Sequence, residues 1–304
     1  MPGAPGAGAE ARHAVECRSL SLIVDAQAAE HVSRSARTRA ARWLFRRVTV
    51  KDYAWTPGTG GRGRERDLAS ARTYLERFRG SLDVAGTTAL DVGCGNAHLC
   101  FELARLGARR VIGVDIGGEK ARANLEAQDA HVKARVEIVK TDGSLRELSR
   151  DQFDLVFSKD SFEHLADPEL VVERMIEVLR PGGRLVIGFG PLWKAPTGGH
   201  IGFMTRLPWA HLLFPEHVIM AERRRFRPNE DARSFAEIQG GLNEMTLARF
   251  EEIMAATGLE RRHFATNVSD HPVVRAMAIV RMLPPLREHF TANVYSIWEK
   301  PAAA

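Results

Sequence analysis

The stretch that decides the fold is Leu90–Leu99, "LDVGCGNAHL". A short apolar run ends in an aspartate, then two glycines one residue apart, then a segment with helical spacing. Gly93 and Gly95 permit a tight turn and let the backbone approach a ligand closely. A strand, a glycine turn and a helix in that order form the first unit of a nucleotide-binding α/β sheet.

Working outward, strand-like runs alternate with helical ones. "TALDVGC" is followed by the helix "AHLCFELARLG", "RVIGVDIG" by "EKARANLEAQ", and "RVEIVKTD" by a short helix "LRELS". "FDLVFSKD" is followed by "DPELVVERMIEVL", and "RLVIGFG" follows the turn "RPGG". This rhythm predicts a doubly wound parallel sheet with helices on both faces. Beyond Gly190 the rhythm breaks, and 191–241 contains no clean strand. It reads as an insertion after the fifth strand, and long stretches of this kind are commonly binding loops or lids. A helix "TLARFEEIMAATG", a strand "LERRHFATNV", a helix "PVVRAMAIVRML" and a final strand "ANVYSIWEK" close the chain. The organisation expected is a Gly/Ala/Pro-rich tail over 1–11, a helical and loop extension over 12–67, and one α/β domain over 68–304 carrying the insertion.

The bulk numbers set the class. Of the 304 residues, 44% are hydrophobic and 27% charged, ordinary values for a globular protein. No apolar run reaches the ~18 residues of a membrane span, and the start shows no secretory pattern. Cys17, Cys94 and Cys100 form no C-x-x-C pair, so neither a zinc knuckle nor a disulfide framework is indicated, and a cytoplasmic location is the default. Six arginines and no acid lie between Ser33 and Val48. They read as an amphipathic surface helix whose apolar side is Trp43, Leu44, Phe45 and Val48, with a nucleic-acid arm, an acidic substrate or a membrane-surface contact as the alternatives.

The ligand should lie beyond the carboxyl ends of the strands. Asp115 follows Gly95 by twenty residues and ends the second strand, where it can accept from two ribose hydroxyls. Asp142 ends the third, placed to accept from an adenine amino group. A dinucleotide needs G-x-G-x-x-G, and position 98 is His98. Asp91 beside the loop would repel pyrophosphate but suits a cationic cofactor, S-adenosylmethionine.

"LDVGCGNA", "GVDIG", "KTDG", "FDLVFSKDSFEHLADP" and "LRPGGRLVIGF" together resemble the successive motifs of class I S-adenosylmethionine-dependent methyltransferases. The likeness is to the small-molecule subgroup related to ubiquinone and menaquinone methyltransferases and covers about residues 68 to 300. It implies a Rossmann-like seven-stranded sheet in the order 3-2-1-4-5-7-6 with the last strand antiparallel. It also implies that Asp91, Gly93 and Gly95 line the methionine part of the cofactor, Asp115 the ribose, and Asp142 and Gly143 the adenine, and that Ser158 offers backbone to the methionine end. Ala97 stands where the family often has a third glycine.

Methyl transfer is an in-line displacement at the sulfonium, helped by alignment and exclusion of water. A hydroxyl acceptor also needs a base. His164, in "SFEHLADP", is one candidate, with pocket shaping as its other reading. The insertion stretch "GGHIGFMTRLPWAHLLFPEH", residues 198–217, supplies three more histidines. The spacings of eleven and six between His200, His211 and His217 match no compact metal signature, so no metal is expected. His200 is expected to face the acceptor with His211 in support, Trp209 and Phe214 forming walls, and Gly198–Gly199 serving as a mobile joint. The activity expected is transfer of a methyl group to a small-molecule acceptor, most simply at oxygen. A nucleic-acid or protein methyltransferase using the basic segment is the alternative. "SKDS" after the fourth strand, in place of an N-P-P-Y-type motif, weighs against it.

Overall fold

The computed structural model describes residues 35–50, 64–78, 80–148, 150, 152–269 and 271–302, with backbone alone for 64–68. The expected tail over 1–11 and much of the extension over 12–67 lie outside the described residues.

Seven strands form one sheet: β1 (Thr88–Val92), β2 (Arg110–Asp115), β3 (Val136–Lys140), β4 (Phe153–Lys159), β5 (Leu179–Phe189), β6 (Glu260–Thr266) and β7 (Val294–Glu299). Their order is β3-β2-β1-β4-β5-β7-β6, as the sequence implied. β1 pairs in parallel with β2 and β4, and β7 runs antiparallel to both β5 and β6. The register sets Asp91 level with Gly113 and Phe157, so the chain segments leaving β1 and β4 emerge side by side.

Alternate strand residues feed two cores. Leu90, Val92, Ile112, Val156 and Ile187 face α6 (Pro168–Val178) and α9 (Leu247–Ala255), burying Val172, Met175, Phe250 and Met254. Ala89, Val111, Leu155, Phe157 and Val186 face α2 (Arg64–Glu76) and α3 (His98–Arg105), burying Tyr74, Phe101 and Leu103. Burial on both faces is why these strands read as continuous apolar runs. Helix α6 starts where the sequence signals it, with Pro168 in the first turn and Asp167 accepting from the Leu170 N–H at 3.0 Å. The helices α4 (Glu119–Glu126) and α5 (Ala130–Lys133) lie in the crossover from β2 to β3, and α10 (Pro272–Val280) connects the antiparallel β6 and β7.

Two local expectations fail. "LRELS" is not a helix but a turn, with Leu145 buried in the left-handed region at φ 55°. The Asp142 and Ser144 side chains accept from the Ser144 and Arg146 N–H groups, offering the backbone a local alternative to helix. "RPGG" does not precede β5 but lies inside it: the partner of β4 jumps from Leu179 to Arg184 between Phe153 and Leu155, and the extra residues bulge out.

The insertion has a core of its own. α1 (Ala36–Val48), α7 (Ala210–Leu213) and α8 (Glu216–Phe226) enclose Phe45, Ile201, Met204, Val218, Ile219, Phe235 and Leu242. A β-bridge between Thr49 and Thr205 and a hydrogen bond from Val50 N to the Met204 carbonyl, 2.8 Å, fasten the chain after α1 to it. The expected apolar side of α1 is corrected: only Phe45 is buried, while Trp43, Leu44 and Val48 are exposed. Among the described residues no helix is long and apolar enough to cross a membrane.

Candidate functional site

The turn after β1 is built as its glycines require. Gly93 has φ 74° and donates to the Val114 carbonyl at 2.9 Å; a Cβ on it would sit 2.4 Å from Ser161 Oγ. Gly95, with φ 54°, donates to Asp115 Oδ2 at 2.9 Å. Ala97 is also left-handed, at φ 63°. That is the physical meaning of the third glycine it replaces: an alanine here costs roughly 1–2 kcal/mol of backbone strain.

Asp115 is half-buried and accepts a second bond from Gly117 N, 2.8 Å, at Oδ1. Two carboxylate oxygens carry about four acceptor sites, so two remain for donors from outside. Asp142 is exposed and closes a turn onto Ser144 N at 2.8 Å, which with the Ser144 hydroxyl holds its carboxyl below the usual range. Gly143 at φ 90° lies 4.0 Å (by its would-be Cβ) from Ile116, an isoleucine 69% exposed. Asp115, Ile116, Asp142 and Gly143 thus form an open shelf at the ends of β2 and β3. Ile116 escaped the sequence reading because an apolar residue after a strand reads as more strand; only its exposure distinguishes it.

Beside this shelf lies a cavity of about 760 Å³, within the range of small-molecule sites. The β1 turn contributes Asp91, Gly93 and Gly95, the segment after β4 contributes Lys159, Asp160, Glu163 and His164, and the insertion contributes His200. Three buried side-chain atoms of these residues have no hydrogen-bond partner among the described residues: Asp91 Oδ1, Glu163 Oε2 and His200 Nε2. Unpaired buried polar groups are costly and call for an explanation. Burial pushes the Asp91 carboxyl up to about 7, against the lowering influence of its Cys100 contact and of Lys159. Burial likewise raises Glu163 to about 8. Burial, then the charges of His164 and Arg223, lowers His200 to about 4, so its ring is neutral at physiological pH.

The two cavity histidines are fixed alike. His164 donates from Nδ1 to the Gly241 carbonyl, 2.5 Å away. His200 is hydrogen-bonded to the Pro191 backbone; a carbonyl can only accept and Nε2 is unpartnered, so Nδ1 carries the proton. In His200 the lone pair therefore sits on the unpartnered nitrogen.

Several expected roles change. His211 does not line the cavity; its Nε2 bonds the Trp193 carbonyl at 2.5 Å and its ring packs on Trp193 at 4.8 Å. His217 turns to Thr38 on α1, 3.4 Å away, so the three insertion histidines point three ways. Trp209 packs on Phe290 and Phe214 on Phe45, and neither is a cavity wall. Ser158 is fully buried within β4, and the residues that follow it, Lys159, Asp160 and Ser161, line the cavity. Gly198 and Gly199 are closely packed here: added Cβ atoms would meet the Trp193 carbonyl at 2.0 Å and His211 Cβ at 2.5 Å. Glu163 is the residue missed outright. It stands in the quoted motif beside His164, but only the fold reveals that it is buried and faces the cavity.

This order of strands, with a glycine turn after β1 and carboxylates at or just beyond the ends of β1, β2 and β3, resembles that of class I S-adenosylmethionine-dependent methyltransferase domains. Residues 83–190 match the family described as a methyltransferase domain. The 27-O-demethylrifamycin SV methyltransferase of Amycolatopsis mediterranei is 35% identical over 134 residues, 43% of this chain and 49% of that protein. The ubiquinone biosynthesis O-methyltransferase of Nitrobacter winogradskyi is 33% identical over 144 residues, 46% of this chain and 53% of that protein. The chain thus spans about half the length of these curated relatives. Among solved structures, a Listeria monocytogenes protein assigned as an S-adenosylmethionine-dependent methyltransferase superposes with a TM-score of 0.53 at 15% identity, covering 76% of this chain and 98% of that one. The [4+2]-cyclase SpnF superposes with 0.51 at 15% identity, covering 82% and 86%. A cyclase on the same fold shows that the sheet alone does not set the reaction.

Proposed function

We propose that the protein transfers a methyl group from S-adenosylmethionine to a hydroxyl of a small-molecule acceptor. The observation that carries this reading is the set of three unpartnered buried atoms, Asp91 Oδ1, Glu163 Oε2 and His200 Nε2, on one cavity. The relatives' names support oxygen as the methyl acceptor.

The residues present fit the cofactor. An ionised Asp91 at the cavity floor suits an α-ammonium group. Asp115 has acceptor capacity left for a ribose, and Ile116 with Asp142–Gly143 offers an apolar platform and polar edge for an adenine. When bound, the cofactor supplies an electrophilic methyl group on a sulfonium. The acceptor then lies under the insertion, on the His164 and His200 side. His200 Nε2 accepts the hydrogen bond of the acceptor hydroxyl, aims an oxygen lone pair and takes the proton as the O–C bond forms. His164 holds the acceptor from the other side. Glu163, protonated at neutral pH, donates rather than repels.

The working unit in this reading is 68–304 with its insertion at 191–241, and α1 joins the insertion rather than standing apart. Cys94 and Cys100, both buried and free, suit a reducing cytoplasm. Two arginines of the basic segment, Arg42 and Arg46, bond the buried Glu222, which weakens the nucleic-acid alternative. The deciding experiment is turnover of labelled S-adenosylmethionine with a panel of phenols, alcohols, amines and carboxylates. Methylation of a hydroxyl class, abolished with Asp115→Ala, supports the reading. Transfer to amines only, or to RNA, rejects it.

A further inference from the structure

Helix α1 has two apolar aspects, and the fold uses one. At 100° per residue Phe45 points into the insertion core and packs against Phe214 at 4.8 Å between ring centres. Trp43, Ala40, Leu44 and Val48 form a separate arc on the other side, and Trp43 and Leu44 are 56% and 51% exposed. Arg37 and Arg47 lie within that arc and Arg39 and Arg46 border it; all four are exposed, and Arg47 stacks on the Trp43 ring at 4.7 Å. The helix contains no acidic residue. Its acidic partner from α8, Glu222, is fully buried and already shared by Arg42, Arg46 and Arg225.

A soluble helix normally hides its one apolar stripe. Here an outward stripe with an interfacial tryptophan, flanked by arginines, has the composition of a helix that lies in a membrane interface. Nucleic acid would account for the arginines but not for Trp43 and Leu44 exposed together. We infer that the outer arc of α1 forms a docking surface for an anionic lipid bilayer. The inference stands on the outer surface alone and does not depend on the reaction proposed above.

The test is flotation of the full chain with vesicles of phosphatidylcholine alone or with phosphatidylglycerol at 30 mol%, at low and at 0.5 M salt. The protein is expected to float with the anionic vesicles at low salt and to be released by high salt. Trp43→Ser with Leu44→Ser should lower the partition coefficient at least ~10-fold without changing the melting temperature or the affinity for S-adenosylhomocysteine. Arg37→Ala and Arg47→Ala should each lower it roughly fivefold. Trp43→Phe, which keeps an aromatic, should restore binding and so exclude a folding artefact. No flotation at low salt, equal partition into both vesicle types, or wild-type flotation of the double serine variant would overturn the inference. So would tight binding of a single-stranded RNA that the serine variant leaves unchanged, in the absence of vesicle binding.

Discussion

His164 and His200 stand edge to face, with ring centres 5.4 Å apart and planes 81° apart, one from the turn after β4 and the other from the insertion. Each is pinned through a backbone carbonyl, Gly241 for one and Pro191 for the other. This pairing builds one wall of the cavity from two distant segments. It also makes both rings rigid, which a positioned base requires.

His200→Ala is therefore expected to lower kcat by roughly 10²-fold or more while S-adenosylhomocysteine affinity stays within about twofold. Position 200 is left-handed at φ 53°, so His200→Asn is the cleaner control, since asparagine tolerates that conformation. Because burial holds His200 at about 4, its base form is complete above pH ~5. The kcat profile should show no rising limb from this group between pH 6 and 8. A kcat near the wild-type value in both variants would reduce His200 to packing.

Asp91 predicts a pH dependence in cofactor affinity. Burial raises its carboxyl to about 7 in the free protein, and a bound ammonium favours the ionised form. Affinity for S-adenosylhomocysteine should rise as pH climbs through 7, by up to ~10-fold per unit below it, and level off above. Calorimetry at pH 6 and pH 8 measures this, and Asp91→Asn should bind weakly with no such slope. Equal wild-type affinity at the two pH values would remove Asp91 from the ammonium site.

Much of this was legible in the chain itself. The alternation of strands and helices and the β1 turn follow from period and glycine spacing, because those features are local, while the strand order came with the family resemblance. The insertion was not legible, since its meaning depends on what it touches. His200 and His211 look equivalent in "GGHIGFMTRLPWAHLLFPEH", yet one faces the cavity and the other bonds the Trp193 carbonyl. Nor does any spacing show that Glu163 is buried or that α1 serves as a wall of the insertion core.

Glu163 destabilises the folded protein in a pH-dependent way. Its carboxyl rises from about 4.5 when unfolded to about 8 when folded, so the folded state holds the proton longer and stability falls as pH rises between those values. Glu163→Gln keeps the acceptor oxygen and removes the buried charge. At pH 8.5 it should stabilise the protein by about 2–4 kcal/mol, visible as a melting temperature several degrees higher. Near pH 4.5 the two proteins should melt together. A difference independent of pH would contradict the assignment.

The glycine pair before His200 should tolerate nothing larger. A Cβ at Gly198 would lie 2.0 Å from the Trp193 carbonyl, a backbone atom that cannot swing aside. Gly198→Ala is expected to cost about 1–3 kcal/mol and to displace His200, raising acceptor KM and lowering kcat. Its thermal unfolding and kinetics decide the matter. A wild-type melting temperature would mean that this loop can give way.

Glu222 is the tie between α1 and the insertion. The carboxylate is fully buried and meets Arg42 at 2.5 Å, Arg46 at 2.8 Å and Arg225 at 2.8 Å. Burial raises its carboxyl, and bonds to the three arginines more than offset this, leaving it below the usual range. Its contribution is thus present at neutral pH and is lost as pH falls below the ordinary glutamate range. Replacing it removes the shared countercharge of three guanidinium groups. Their half-exposed heads can turn to water, so the cost should be about 1–3 kcal/mol rather than the full value for a wholly buried pair. Glu222→Gln should leave the sheet and the β1 turn intact, and with them the affinity for S-adenosylhomocysteine. Amide exchange across Ala36–Val48 should accelerate selectively, since that helix contributes only Phe45 and the partly buried Ala41 to the insertion core. Unchanged exchange there would mean that Phe45 and the Thr49–Thr205 bridge hold α1 in place without the ion cluster.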